Sequence, residues 1–195
     1  MSGDIVRPTR RGRALLALAI LAGAATWQGK PGVAAEAEPT LEHRVKAAFL
    51  YRFADYTQWP AGAFAQPGAP FAIGVAGAEP LTEELARIVM GRTAHKRPVV
   101  VRRVRPGDAA EGIHILFVGR EHRDRFREWM ARMRERPVLV VTEWDGALAQ
   151  GSMVNFVILE ERVRFEIAID AARAAGLALD SRLLTVAYQV QTRNP

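Results

Sequence analysis

LEHRVKAAFLYRFADYTQWP, residues 41–60, is the stretch whose reading decides the fold. Val45, Phe49, Phe53 and Tyr56 recur at spacings of four, four and three, which predicts a helix with one buried face. Pro60 stops that helix, because the residue before a proline is pushed out of the α region. Trp59 then sits just past the helix end, where its amphipathic ring closes over an adjoining core. Projected around the helix, Lys46 falls inside the apolar arc and Arg52 at its edge, with Asp55 one turn beyond on the flank. Two readings of these charges stand: Lys46 snorkels while Arg52 pairs with Asp55 at the surface, or they contact a ligand or partner.

Upstream, the chain reads as a leader. Arg7, Arg10, Arg11 and Arg13 form a basic segment, residues 14–25 an apolar run, and Ala35-Glu36-Ala37 a small-x-small cleavage site. The run is about 12 residues, short of the roughly 20 that span a bilayer, so export and cleavage are expected, not anchoring. Thr9-Arg10-Arg11 raises the twin-arginine route, but Arg13-Ala14 stands where that signal wants bulky apolar residues, and the general secretory route is preferred. Residues 1–37 are therefore a signal peptide and residues 38–195 a single domain. Cleavage takes 27 basic and 21 acidic residues down to 22 and 19, a net charge of +3 with mixed signs, which gives no electrostatic case for nucleic acid.

Downstream, a loop rich in Gly, Pro and Ala leads to FAIGVAG (71–77), an apolar run that reads as a buried strand. Pro80 opens a helix with Leu81, Leu85, Ile88 and Val89 on one face. RPVVVRRV (97–104), IHILFV (113–118) and VLVV (138–141) read as further strands, the second covered on both faces. Between the last two, Phe126, Trp129, Met130 and Met133 give the clearest amphipathic helix, expected over 121–134 with Phe126, Trp129 and Met133 buried. Strands alternating with helices predict a mostly parallel, doubly wound sheet flanked by helices. The C-terminal region departs from this: 155–159 and 163–169 flank Glu160-Glu161-Arg162 and alternate apolar with polar residues, an antiparallel hairpin with one wet face. A short helix over 171–175 capped by Asp170 and stopped by Gly176, and a last one over 182–190 capped by Asp180 or Ser181, complete the α/β reading.

No catalytic constellation emerges. The sequence lacks G-x-S-x-G, H-E-x-x-H, Walker and G-x-G-x-x-G patterns, and with no cysteine it has no thiolate, disulfide or cysteine-type zinc site. His43, His95, His114 and His122 fall in different elements without an i, i+4 pair, so no metal or cofactor is expected, and His114 reads as a core or sheet-face residue. Glu160 and Glu161, adjacent in a turn, diverge and do not make an acid and base pair. Gly74 and Gly77 after the first strand read as a plain strand-to-helix turn. Trp144, in a loop, is a candidate exposed contact.

Four motifs in order resemble one family. VKAAFLYRFADYTQWP is similar to the V-K-A-A-F-L-Y-N-F…W-P opening of YfiR-like proteins, IHILFV to their C-H-I-L-F-I strand, RPVLVVTE to R-P-V-L-T-V-S-D, and GSMVNFVILEERVRFEIAIDAARAAGLALDSRLL to their C-terminal block. The resemblance covers residues 41–188. It implies a non-enzymatic periplasmic regulator, a homodimer that represses an inner-membrane diguanylate cyclase through the cyclase's periplasmic region and holds cyclic di-GMP and biofilm formation down. Ile113 replaces the family's frequent cysteine, so redox control by disulfides is absent, and Ala168 stands where the family pattern has asparagine. A periplasmic small-ligand-binding accessory of a transport system is the alternative. For partner binding the sequence offers Trp59 as an aromatic anchor, with Arg164 and Glu166 alternating outward from Phe165 and Ile167 on the hairpin. No membrane insertion is expected after cleavage.

Overall fold

The structure is a computed structural model that describes residues 40–108 and 110–192; the leader read at residues 1–37 lies outside the described residues. Helix α1, Leu41–Asp55, begins with a capping box in which the Thr40 hydroxyl accepts from the His43 backbone and the His43 ring accepts from Thr40 N–H. Its buried face is Lys46, Ala47, Leu50, Phe53 and Ala54, a stripe rotated from the expected one: Val45, Phe49 and Tyr56 lie half-buried on the flank. Small Ala47 and Ala54 bring the helix close to the sheet, while Phe49 and Phe53 pack against Phe156 and Phe165. The helix also ends before the proline. Thr57–Gln58 (β1) leaves the helix to pair antiparallel with a later strand.

After a 3-10 turn at Ala61–Ala63 come β2 (Phe71–Ala76), α2 (Glu79–Val89), β3 (Thr93–Ala94), β4 (Arg97–Arg103) and β5 (Ile115–Val118). A 3-10 turn at Arg120–Arg125 precedes α3, Phe126–Met133, so the helix expected from residue 121 forms only over its second half. The missing half has no buried residue to pack, since all five of its side chains, 121–125, are charged or histidine. Then follow β6 (Leu139–Thr142), β7 (Val154–Leu159), β8 (Arg162–Ala168), α4 (Ile169–Ala174), β9 (Ala178–Leu179, the partner of β1), α5 (Ser181–Val186) and β10 (Gln189–Gln191). Asp170 lies inside the first turn of α4, not at its cap, and Gly176 follows at φ +75°. Asp180 caps α5. The residues expected to continue that helix to 190 form β10, because α5 has only Leu183 buried and its end pairs instead with β8.

Eight strands form one sheet in the order β10-β8-β7-β6-β5-β2-β4-β3. The five strands β4-β2-β5-β6-β7 are parallel, β8 is antiparallel to β7, and β10 runs parallel to β8. The mostly parallel α/β architecture with a C-terminal hairpin is thus as expected. Alternation along each parallel strand divides the apolar residues between two faces. Ile115 and Phe117 join Leu50, Phe53, Leu81 and Leu85 under α1 and α2, while Leu116 and Val118 join Phe126, Trp129 and Met133 under α3. Phe126, Trp129 and Met133 are buried as read, and covering both faces is what makes IHILFV nearly all apolar. Gly74 faces the α3 side, where an added Cβ would stand 2.9 Å from Ile113 and Val104, so its smallness serves close packing.

Candidate functional site

The strand order fixes where a ligand or partner surface is built. From β2 the chain goes to β4 on one side and then crosses back to β5 on the other, so the order reverses at β2 and the carboxyl ends of β2 and β5 flank a switch point. A cleft of 510 Å³ lies there, lined by Val75, Gly77, Val104, Pro106 and the His122 ring with the charged Arg103, Arg105, Glu79, Glu83 and Glu121. Gly77 makes the turn into α2 at φ +74°, and Ala78 follows in the left-handed region at φ 59° with no side-chain cap on the helix. Arg103 is not free in the cleft: its guanidinium pairs with Glu79. Among the described residues no group of three or more His, Asp or Glu could hold a metal ion.

Further along the same edge lies a polar cluster that sequence reasoning missed. Lys46 is 2% exposed and ion-paired to Glu42 one turn back and to Glu143 just after β6, at 2.6 Å. The other oxygen of the Glu143 carboxylate accepts from Arg120 N–H at 3.0 Å, and the Glu143 carbonyl accepts from the Arg120 guanidinium at 3.2 Å. Glu143 therefore ties the loop after β5, the loop after β6 and helix α1 together. The hydrogen bond from Lys46 holds the Glu42 carboxyl below its ordinary range against a smaller opposing effect of burial. Lys46 does not snorkel. A lysine inside the apolar arc of the best-defined helix was the available signal, since a buried charge needs a partner, but nothing in the spacing named Glu143. Arg52 and Asp55 are both exposed, and among the described residues no ion pair joins them.

The residues read for partner binding fall in two places. Trp59 is half-buried, edge-on to Phe71 at 4.9 Å, and close to His95 and His114, at the amino-terminal edge of the sheet. Arg164 and Glu166 lie on β8, with β7, β6 and β5 between that strand and β2. Arg164 is exposed opposite Val157. Glu166 is half-buried and accepts from Asn155 Nδ2 at 3.0 Å; the fully buried Asn155 in turn accepts from the Thr142 hydroxyl at 2.8 Å and Trp144 N–H at 3.1 Å. Glu166 is thus the outer end of a buried chain linking β8, β7 and β6, which fixes its direction. Trp144 is buried at 4% exposure, edge-on to Phe126, and is no exposed contact.

Together these features define a doubly wound α/β domain with a protruding, internally braced hairpin and a charged carboxyl edge. The chain belongs to the YfiR/HmsC-like family, whose sequence pattern matches residues 43–188. No curated protein matches it.

Proposed function

We propose that this protein is a non-enzymatic periplasmic regulator that binds and represses an inner-membrane diguanylate cyclase, lowering cyclic di-GMP and biofilm formation. The observation that carries the reading is the family match over residues 43–188, which spans the five parallel strands from β2 to β7 and the whole hairpin. The same membership and the leader pattern at residues 1–37 support the periplasmic placement in this reading. Among the described residues no helix is long and apolar enough to cross a membrane.

The contact surface in this proposal is the outward face of β8, with Arg164 free to meet an acidic group and Glu166 held in a fixed direction. Trp59 is the third contact, through the part of its ring that Phe71 leaves open. Arg164→Glu is the cleanest test because the side chain is exposed and its loss leaves no buried group unpaired. In cells carrying the cognate cyclase, folded Arg164→Glu protein is expected to repress less well, and cyclic di-GMP to rise. A folded variant that represses as fully as the parent sinks the β8 surface.

The cleft at the β2/β5 switch point favours a second reading, a periplasmic small-ligand-binding protein. Its mixed lining of Arg105, His122, Glu83 and Glu121 suits a small polar molecule carrying both signs of charge.

A further inference from the structure

A cavity of 370 Å³ lies beside the Lys46 cluster and shares no lining residue with the switch-point cleft. The register of the sheet opens it. Strand β6 stops pairing with β7 at Thr142↔Asn155, whereas β7 continues to Leu159 with β8 along one side of it. Tyr188 N–H donates to the Phe165 carbonyl, so Phe165 turns its peptide groups toward β10 and away from β7. Phe156↔Phe165 is then a non-hydrogen-bonded pair, and by alternation so is Ile158↔Val163. The Ile158 N–H therefore points away from β8, to the side where β6 has ended and the cavity begins. Ile158 itself is 47% exposed, on the face of β7 that also carries Phe156.

Unengaged donors collect around this cavity. Lys46, 2% exposed, gives one N–H to Glu42 and one to Glu143 and has a third. Trp144, 4% exposed, has an indole N–H with no hydrogen-bond partner among the described residues. Arg123 lines the cavity and is exposed, without an ion pair among the described residues. The nearby acceptors do not meet this demand. Both Glu143 oxygens are engaged, one by Lys46 and one by Arg120 N–H, and the exposed Asp145 pairs with none of these donors among the described residues. Buried donors left without acceptors are destabilising, so the cavity calls for a ligand that supplies acceptors. From this we infer that it binds a short-chain organic carboxylate, whose oxygens take the unengaged donors and whose hydrocarbon chain lies along Phe156 and Ile158. Arg123 offers the planar fork that a carboxylate matches. A monoanion suits the site and phosphate does not, because a second negative charge would face Glu143 and Asp145.

Titration of the mature chain with sodium acetate, butyrate and hexanoate, followed by calorimetry, tests the assignment. Affinity is expected to rise at least about twofold for each added methylene, with butyramide and inorganic phosphate binding at least about tenfold more weakly than hexanoate. In nitrogen-15 spectra the indole resonance of Trp144 is expected to move on binding, while those of Trp59 and Trp129, which do not line the cavity, stay. Arg123→Gln is expected to weaken every carboxylate at least about tenfold with an unchanged ligand-free melting curve, since the side chain is exposed. Ile158→Thr, which keeps a β-branched residue on the strand, is expected to flatten the dependence on chain length and to leave acetate binding as it was. Arg105→Gln, in the switch-point cleft, is expected to change nothing. No carboxylate binding at millimolar concentration, phosphate binding as tightly as hexanoate, a Trp144 resonance that stays in place, or a loss with Arg105→Gln in place of Arg123→Gln overturns the proposal. The titration involves no cyclase, so it stands or falls apart from the regulatory reading.

Discussion

His114 shows how one residue's surroundings decide its chemistry. Its ring packs against both Phe64 and Phe71, with centroids 4.6 and 4.8 Å away, and Nδ1 accepts from Ala72 N–H at 3.1 Å. Burial pushes its pKa down from 6.5 to about 4. Between those two values the unfolded chain binds a proton that the folded chain does not, so stability falls as pH drops from 6.5 toward 4. Melting temperatures across that window are expected to fall, and His114→Asn, which keeps an acceptor for Ala72 without a titrating ring, to flatten that part of the profile. The sequence shows that His114 sits in an apolar strand and lacks the spacing of a metal ligand. It cannot show Phe64 folding back over the ring, because that contact is made by a loop whose path no periodicity encodes. Lys46 differs from its sequence reading for a related reason: its position on the helix is legible, its partner 97 residues away is not.

At the scale of elements, alternation is the reliable signal and length the unreliable one. β7 and β8 pair from Val154↔Ile167 to Leu159↔Arg162, as the alternating pattern requires. Helices α3 and α5 are shorter than expected, because helical spacing persists in the sequence where no core remains to pack against. The hairpin turn carries a mismatch of its own. Glu160 and Glu161 both adopt positive φ, 48° and 59°, the type I′ geometry that favours Asn-Gly. Two carboxylates also repel there. The double substitution Glu160→Asn with Glu161→Gly is expected to stabilise the protein by about 1–2 kcal/mol, the usual cost of holding an L-residue in the left-handed region. A urea midpoint that rises at constant m-value would bear this out, and one that falls would not.

Across the whole molecule, the alternation of strands and helices is enough to place a parallel sheet with a hairpin at its end, while the order of strands is not. That order depends on which side of β2 each crossover falls, and it sets the cleft, which is why the cleft emerges from the fold and not from Gly74 and Gly77. The two residue groups read as one contact surface, Trp59 with Arg164 and Glu166, lie at separate parts of the sheet for the same reason: outward alternation tells which face a residue takes, not which strands stand between. The export reading rests on the first 37 residues and is checked by intact mass. Protein recovered from the periplasm is expected to begin at or next to Glu38, and a full-length chain there would refute cleavage.

The tie between Lys46, Glu42 and Glu143 also has a historical consequence. A charge this well buried is worth keeping only while its counter-charges remain, so these positions are not free to drift one at a time. Losing Glu143 alone leaves the buried Lys46 ammonium with Glu42 alone to balance it and also unfastens Arg120, whereas losing all the charges together leaves no buried charge to balance. A chain that exchanges these residues one at a time therefore passes through a less stable intermediate, which an exchange of all of them together avoids.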